Sequence, residues 1–254
     1  MSQPLPFVVP RARLFNITSI CDTIQQEQMQ ENWLREAREQ KGWTQERAAA
    51  RLGVSQTYLS LLENDRRVVS KRLARKLQRD FVVPATVLPV KSTNETSDAQ
   101  TLTNALGALG YPGFTHFKRG HRVNPAQLLF SALRTPNLEP RLSEALPWVA
   151  WRYPDLNWKW LLTQVKLHDL QNRLGFVVAL AGQVATRKDQ PDPAAKLAAV
   201  EQLLERSRLA REDTLCRESM TQSERRWLRE RRSALAQHWN LLTGLVPEHL
   251  SYAA

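Results

Sequence analysis

Histidines, cysteines and carboxylates are the groups in this chain that could carry catalysis or hold a metal. A zinc site needs ligands at a fixed local spacing, such as two histidines one helical turn apart. His116, His121, His168, His238 and His249 are scattered without such spacing, and Cys21 and Cys216 are far apart with no further ligand beside either. His168-Asp169 sets an imidazole beside a carboxylate, but adjacent residues on a helix do not face each other. No GxxxxGK[ST] phosphate loop and no GxSxG elbow occurs. The chain is therefore expected not to be an enzyme, with no metal and no cofactor.

Two other groupings could make contacts. Arg225, Arg226, Arg229, Arg231 and Arg232 follow Thr221-x-x-Glu224, which reads as a capping box opening a helix. With one intervening acid, Glu230, the run is either a solvated helix face or a contact for DNA backbone, RNA or an acidic partner. Trp148, Trp151, Trp158 and Trp160 form a dense aromatic group. Such a group makes either core or a dimer or partner interface, where Trp is enriched.

The elements that must position these groups are helices. Of 254 residues only 9 are Gly, the 14 Pro fall largely between segments, and alternating Val-Ile-Thr runs are nearly absent. That composition predicts an all-α chain long enough for two domains. With 42% apolar and 24% charged residues it has the balance of a folded protein rather than a disordered one. Two cysteines cannot build a disulfide framework. The longest apolar runs, such as Phe176 to Ala181, are far short of a membrane span. No signal peptide is read at the Met-Ser-Gln-Pro start, so a cytoplasmic protein without membrane contact is expected.

The boundaries follow composition. Residues 1–25, with Pro4, Pro6 and Pro10, read as an N-terminal arm, and 26–90 as a first domain of short helices. Residues 91–100 (KSTNETSDAQ) lack a large apolar side chain and read as a linker. Residues 101–254 read as a larger helical domain, with helices over 101–109, 124–134, 138–151, 156–186, 193–219 and 221–243. The Trp158–Gln183 stretch reads as one long amphipathic helix suited to a bundle or a dimerisation surface. The net charge of +11 is divided between the parts: +5 over residues 31–81 and +7 over 101–254. A basic balance points to nucleic acid without specifying a fold.

Within the first domain the stops and starts are local. Gly42 closes a helix carrying Trp33, Leu34 and Ala37, and Thr44 caps a second that runs to Leu52. Gly53 supplies the sharp turn, Ala49 keeps the helix crossing close, and Ser55 caps a third helix to about Asn64. A fourth spans 70–80, and Pro84 opens a short fifth turn. Two helices joined by Leu52-Gly53-Val54 define a helix-turn-helix.

The pattern Gln45-x-x-x-Ala49-x-x-x-Gly53-Val54-Ser55-Gln56-x-x-x-Ser60-x-Leu62-Glu63-Asn64 resembles the Cro/phage-repressor (XRE) helix-turn-helix family. Trp33-Leu34-Arg35-x-x-Arg38 and Gly42-Trp43-Thr44-Gln45 agree with it as well, whereas Asp65 stands where the family usually has Gly. The resemblance covers residues 31–88, and nothing beyond is recognised. It implies a five-helix domain whose third helix enters the major groove of double-stranded DNA. Gln56, Thr57, Ser60 and Leu61 are then the base-reading positions: the Gln amide can pair bidentately with adenine, and Leu61 can meet a thymine methyl. Gln45, Ser55, Tyr58, Asn64, Arg66 and Arg67 are the phosphate-binding positions. Tyr58 reads equally as core rim, and Glu63 as a structural salt bridge, since a carboxylate beside phosphates is unfavourable. Arg47, Arg51, Lys71 and Arg72 add cations around a reading helix that has no Lys or Arg.

The expectation is a sequence-specific transcriptional regulator, a dimeric repressor placing third helices in successive major grooves. The alternative is an antitoxin-like or defence-system regulator whose residues 101–254 bind a partner protein.

Overall fold

The computed structural model describes residues 33–64, 66–67, 69–81, 84–88, 90, 97–117 and 122–253. The N-terminal arm, Cys21, Asp65, linker residues 91–96, His121 and the side chain of Lys71 lie outside the described residues.

The first unit contains α1 (Trp33–Gln40), α2 (Gln45–Leu52), α3 (Gln56–Glu63) and α4 (Lys71–Asp80), followed by a 3-10 turn at Ala85–Val87. Each of α2, α3 and α4 starts on a side-chain cap: Thr44, Ser55 and Ser70 accept from the backbone N–H of Arg47, Tyr58 and Leu73. Such a cap contributes about 1 kcal/mol by satisfying an otherwise orphaned donor. Helix α2 ends at Gly53, which sits at φ 66 in the left-handed region. Leu34, Ala49, Leu52, Leu59, Leu62, Leu73 and Leu77 close a small core between these helices.

The second unit begins at α5 (Ala99–Leu109) and continues through a 3-10 segment, Pro112–Phe117, into α6 (Pro125–Arg134), α7 (Pro140–Arg152), α8 (Trp158–Leu167), α9 (Gln171–Arg187) and α10 (Pro191–Glu205). It then runs through strand β1 (Asp213–Thr214), α11 (Gln222–Arg231), α12 (Ala234–His238), strand β2 (Leu241–Leu242) and a last 3-10 turn, Pro247–His249. The two strands form a two-residue parallel pair. Strand content is thus minimal among the described residues, and the fold is all-α with a helix-turn-helix unit and a larger helical region.

Three expected helices are shorter than the sequence suggests. The stretch 156–186 breaks between α8 and α9, with Asp169 at φ 55. The break is written in the apolar spacing: Val165 and Leu170 are both buried but five residues apart, which a straight helix would turn to different faces. Helix α9 is consequently not an amphipathic dimerisation stripe. Its residues from Gln171 to Ala181 are all buried, so it is the central helix of the core. An added Cβ at Gly175 would lie 2.2 Å from the Trp239 ring, so the helix is smooth where that indole packs. The stretch 193–219 is helical only to Glu205, because the chain then turns to pair Asp213 with Leu241. The stretch 221–243 breaks at Ser233, which caps α12 by accepting from the Ala236 N–H.

Many polar groups inside this unit are matched, while Gln171 Oε1, Arg232 Nε and Trp239 Nε1 are buried without a hydrogen-bond partner among the described residues. Arg173 on α9 donates to both carboxylate oxygens of Asp213, at 2.7 and 2.9 Å, and to the Leu133 carbonyl. Cys216, buried beside Arg173, has its thiol pushed up to about 11 by burial and is held as a neutral packing group. Trp148 and Trp158 are buried, and Trp151 and Trp160 pack against the same core. The tryptophan-rich stretch is therefore built into the core.

The two units meet at the Ala85–Val87 turn. Ala85 packs in the second core and Leu88 in the first. Buried Asn124 caps α6 through the Ala126 N–H and donates its Nδ2 to the carbonyls of Thr86 and Leu88, at 2.9 and 2.6 Å.

Candidate nucleic-acid interface

Helix α3 is amphipathic in a way that leaves one polar, uncharged face outward. Leu59 and Leu62 turn into the core, while Gln56 and Thr57 are exposed and Ser60 and Leu61 half-buried. These four fall within about 140° of arc on a helix of 3.6 residues per turn. The structure therefore brings all four candidate base-reading residues onto one face.

At the C-terminal end of α3 sits an ionic hub. The Glu63 side chain is fully buried, and Arg38 from α1 donates Nε and Nη2 to its two oxygens at 2.7 and 3.2 Å. Gln45 at the start of α2 donates Nε2 to Oε2 at 2.9 Å, and Arg35 approaches the same oxygen to 3.7 Å. Burial alone would raise the Glu63 pKa, but these donors outweigh it and hold the carboxyl below its ordinary value. Arg38 also donates to the Trp43 carbonyl, which ties down the entry to α2. One carboxylate thus joins α1, α2 and α3, and fixes the orientation of the outward face. Glu63 is the structural salt bridge expected from sequence. Arg38 as its main partner required the tertiary structure, since the two lie 25 residues apart.

The expected phosphate-binding positions are placed as follows. Ser55 is exposed and occupied as the α3 cap. Gln45 is half-buried with its amide nitrogen given to Glu63. Tyr58 is half-buried and packs against the first core, as its core-rim reading holds. Asn64 is exposed and folds its Nδ2 back on the Ser60 carbonyl at 2.7 Å, with Arg35 near its Oδ1. Arg66 and Arg67 are exposed just past α3, and Arg47, Arg51 and Arg72 are exposed on neighbouring helices.

A second fixing contact was not legible in the sequence. Lys76 of α4 donates Nζ to the Leu52 carbonyl at 2.7 Å, satisfying the C-terminus of α2 beside the Gly53 turn. Lys41, Arg47 and Arg51 also gather around the Trp43 ring, each within 6 Å of its centroid. Among the described residues no group of three His, Cys, Asp or Glu could hold a metal ion, and no helix is long and apolar enough to cross a membrane.

A capped helix, a left-handed glycine and a second capped helix define a helix-turn-helix unit, which a buried ion pair ties together. Residues 34–88 match the Helix-turn-helix family model. The match is to a helix-turn-helix of the XRE type and covers that segment alone; it supports a DNA-binding transcription regulator. The region C-terminal to it has no family match. Neither the curated proteins nor the solved structures contain a match to the chain.

Proposed function

We propose that the protein is a sequence-specific repressor that binds double-stranded DNA as a homodimer. The observation that carries this reading is the outward face of α3: Gln56, Thr57, Ser60 and Leu61 share it, it has no charge, and cations flank it. Neutral hydrogen-bonding groups read base edges, while Arg66 and Arg67 hold the backbone. Gln45, Ser55, Tyr58 and Asn64 add phosphate contacts once DNA displaces or extends their present hydrogen bonds. A domain of this size gains affinity by pairing two copies, whose third helices would enter major grooves about 34 Å apart. Residues 26–90 would be the DNA-binding part and 101–254 the part that pairs copies or receives a signal.

The test is to recover bound sequences from random duplex DNA with the full chain, then to measure repression from a promoter bearing the selected site. A pseudo-palindrome with half-sites one or two helical turns apart, and lowered transcription, is the expected result. A single unpaired half-site bound by a monomer overturns the dimer, and raised transcription overturns the repressor.

A further inference from the structure

Helix α11 carries an unspent contact surface. Its start is fixed by the capping box, in which Thr221 and Glu224 each bond the other's backbone N–H. Its inner side is tied down by arginines whose charge is already used. Arg229 binds Glu212 through both Nη2 and Nε, at 2.6 and 3.1 Å, and Arg232 reaches Glu212 and the Leu241 carbonyl. Arg225 donates to the carbonyls of Met220 and Glu218, and Arg217 pairs with Glu224. Leu228 turns inward.

The outer side is different. Trp227 is 53% exposed, and with Leu167 it is one of two large apolar side chains left open to solvent among the described residues. Arg231 lies over the indole at 5.0 Å from the ring centroid, and Arg226 is exposed on the adjoining flank. Among the described residues neither guanidinium has an ion-pair partner, while Glu230 is the acid on the same outer side. An indole exposed between two unspent guanidinium groups has the composition of a binding hot spot. Covering the ring would remove a large apolar area from water, and the cation over it is oriented in advance.

Charge decides among the occupants. A second copy would set Arg226 and Arg231 against their own images across a two-fold axis, in a chain of net charge +11. Duplex backbone would satisfy the guanidinium groups, but it offers no apolar surface for the indole. A protein segment bearing carboxylates around an apolar side chain satisfies both. We propose that α11 is a docking surface for an acidic segment of a partner protein, with Trp227 as anchor and Arg226 and Arg231 as its charge partners. This site is separate from the DNA-reading face.

The experiment places the photocrosslinker p-benzoylphenylalanine at position 227 of the full chain, produced in its native cells, and sequences the crosslinked peptides. The expected adduct lies in one protein, in a segment rich in Asp and Glu. Arg226→Ala with Arg231→Ala should lower its yield at least fivefold while the protein keeps its melting midpoint and its DNA affinity, because neither side chain holds the fold. A synthetic peptide of the crosslinked segment should then bind the full chain at least tenfold more weakly after Trp227→Ala. An adduct to nucleic acid, to a second copy or to a segment without acids overturns the proposal. So do the absence of an adduct and a peptide affinity that ignores all three substitutions. Loss of DNA binding in the double variant would show that the surface holds DNA, and would leave α3 as reading helix untouched.

Discussion

Glu63 and Arg38 show how one pair of residues can hold three helices in register. Removing one partner of a buried pair leaves the other charged and desolvated, at a cost of about 3–5 kcal/mol. Arg38→Ala should therefore lower the stability of the first unit by about 3 kcal/mol in urea unfolding followed in the full chain. Acid should act through the same pair. The Glu63 carboxyl titrates below its ordinary 4.5 in the folded state, so its stabilisation is complete above that pH and is lost as pH falls through the folded value. The melting midpoint should fall on acidification below about pH 4.5, and Glu63→Gln should flatten that dependence. The residues of the outward face behave differently because they hold nothing up. Gln56→Ala should leave stability unchanged and relax base preference at one position, by about 1–3 kcal/mol of discrimination. Replacing Arg66 and Arg67 together should weaken binding to all sequences and reduce the salt slope by up to about 2. Shift assays across salt on selected and scrambled DNA separate the two effects.

At the scale of elements, helix ends are the decisive places. Gly53 lies at φ 66, and a Cβ there would come within 2.8 Å of the Lys76 ammonium that caps α2. Gly53→Ala should cost about 1–2 kcal/mol from the left-handed backbone alone. A calorimetric melt would check it, with Lys76→Met separating the loss of the cap from the backbone strain. Caps were readable because they are local: Thr44, Ser55 and Thr221 each act three residues along the chain. Ser233 is equally local, and its cap splits a stretch that apolar periodicity alone joins into one helix. The break between Val165 and Leu170 was likewise present as a five-residue step, hidden within a run of otherwise helical composition.

For the whole molecule the question is how the reading unit is held. Asn124 joins the last turn of the first unit to the cap of α6 by hydrogen bonds in a buried setting. Asn124→Ala removes the cap, worth about 1 kcal/mol, and leaves the Thr86 and Leu88 carbonyls without these donors. The expected outcome is faster proteolytic cleavage around residues 88–97 and, in a dimer, tolerance of half-site spacings that the native protein rejects. Binding to a series of spaced half-sites checks the second effect.

Sequence alone determined the helix-turn-helix, which rests on short-range rules: a cap, a glycine and a small residue where the helices cross. The four positions of its outward face came from the family resemblance, carried over residue by residue. The tertiary structure decided which carboxylate is buried at the end of α3, which helix forms the centre of the second unit, and how the two units are joined. These depend on contacts between residues such as Arg38 and Glu63, Arg173 and Asp213, or Asn124 and Leu88. Burial and partner choice at that separation follow from the packing of whole helices, and local spacing carries no record of them.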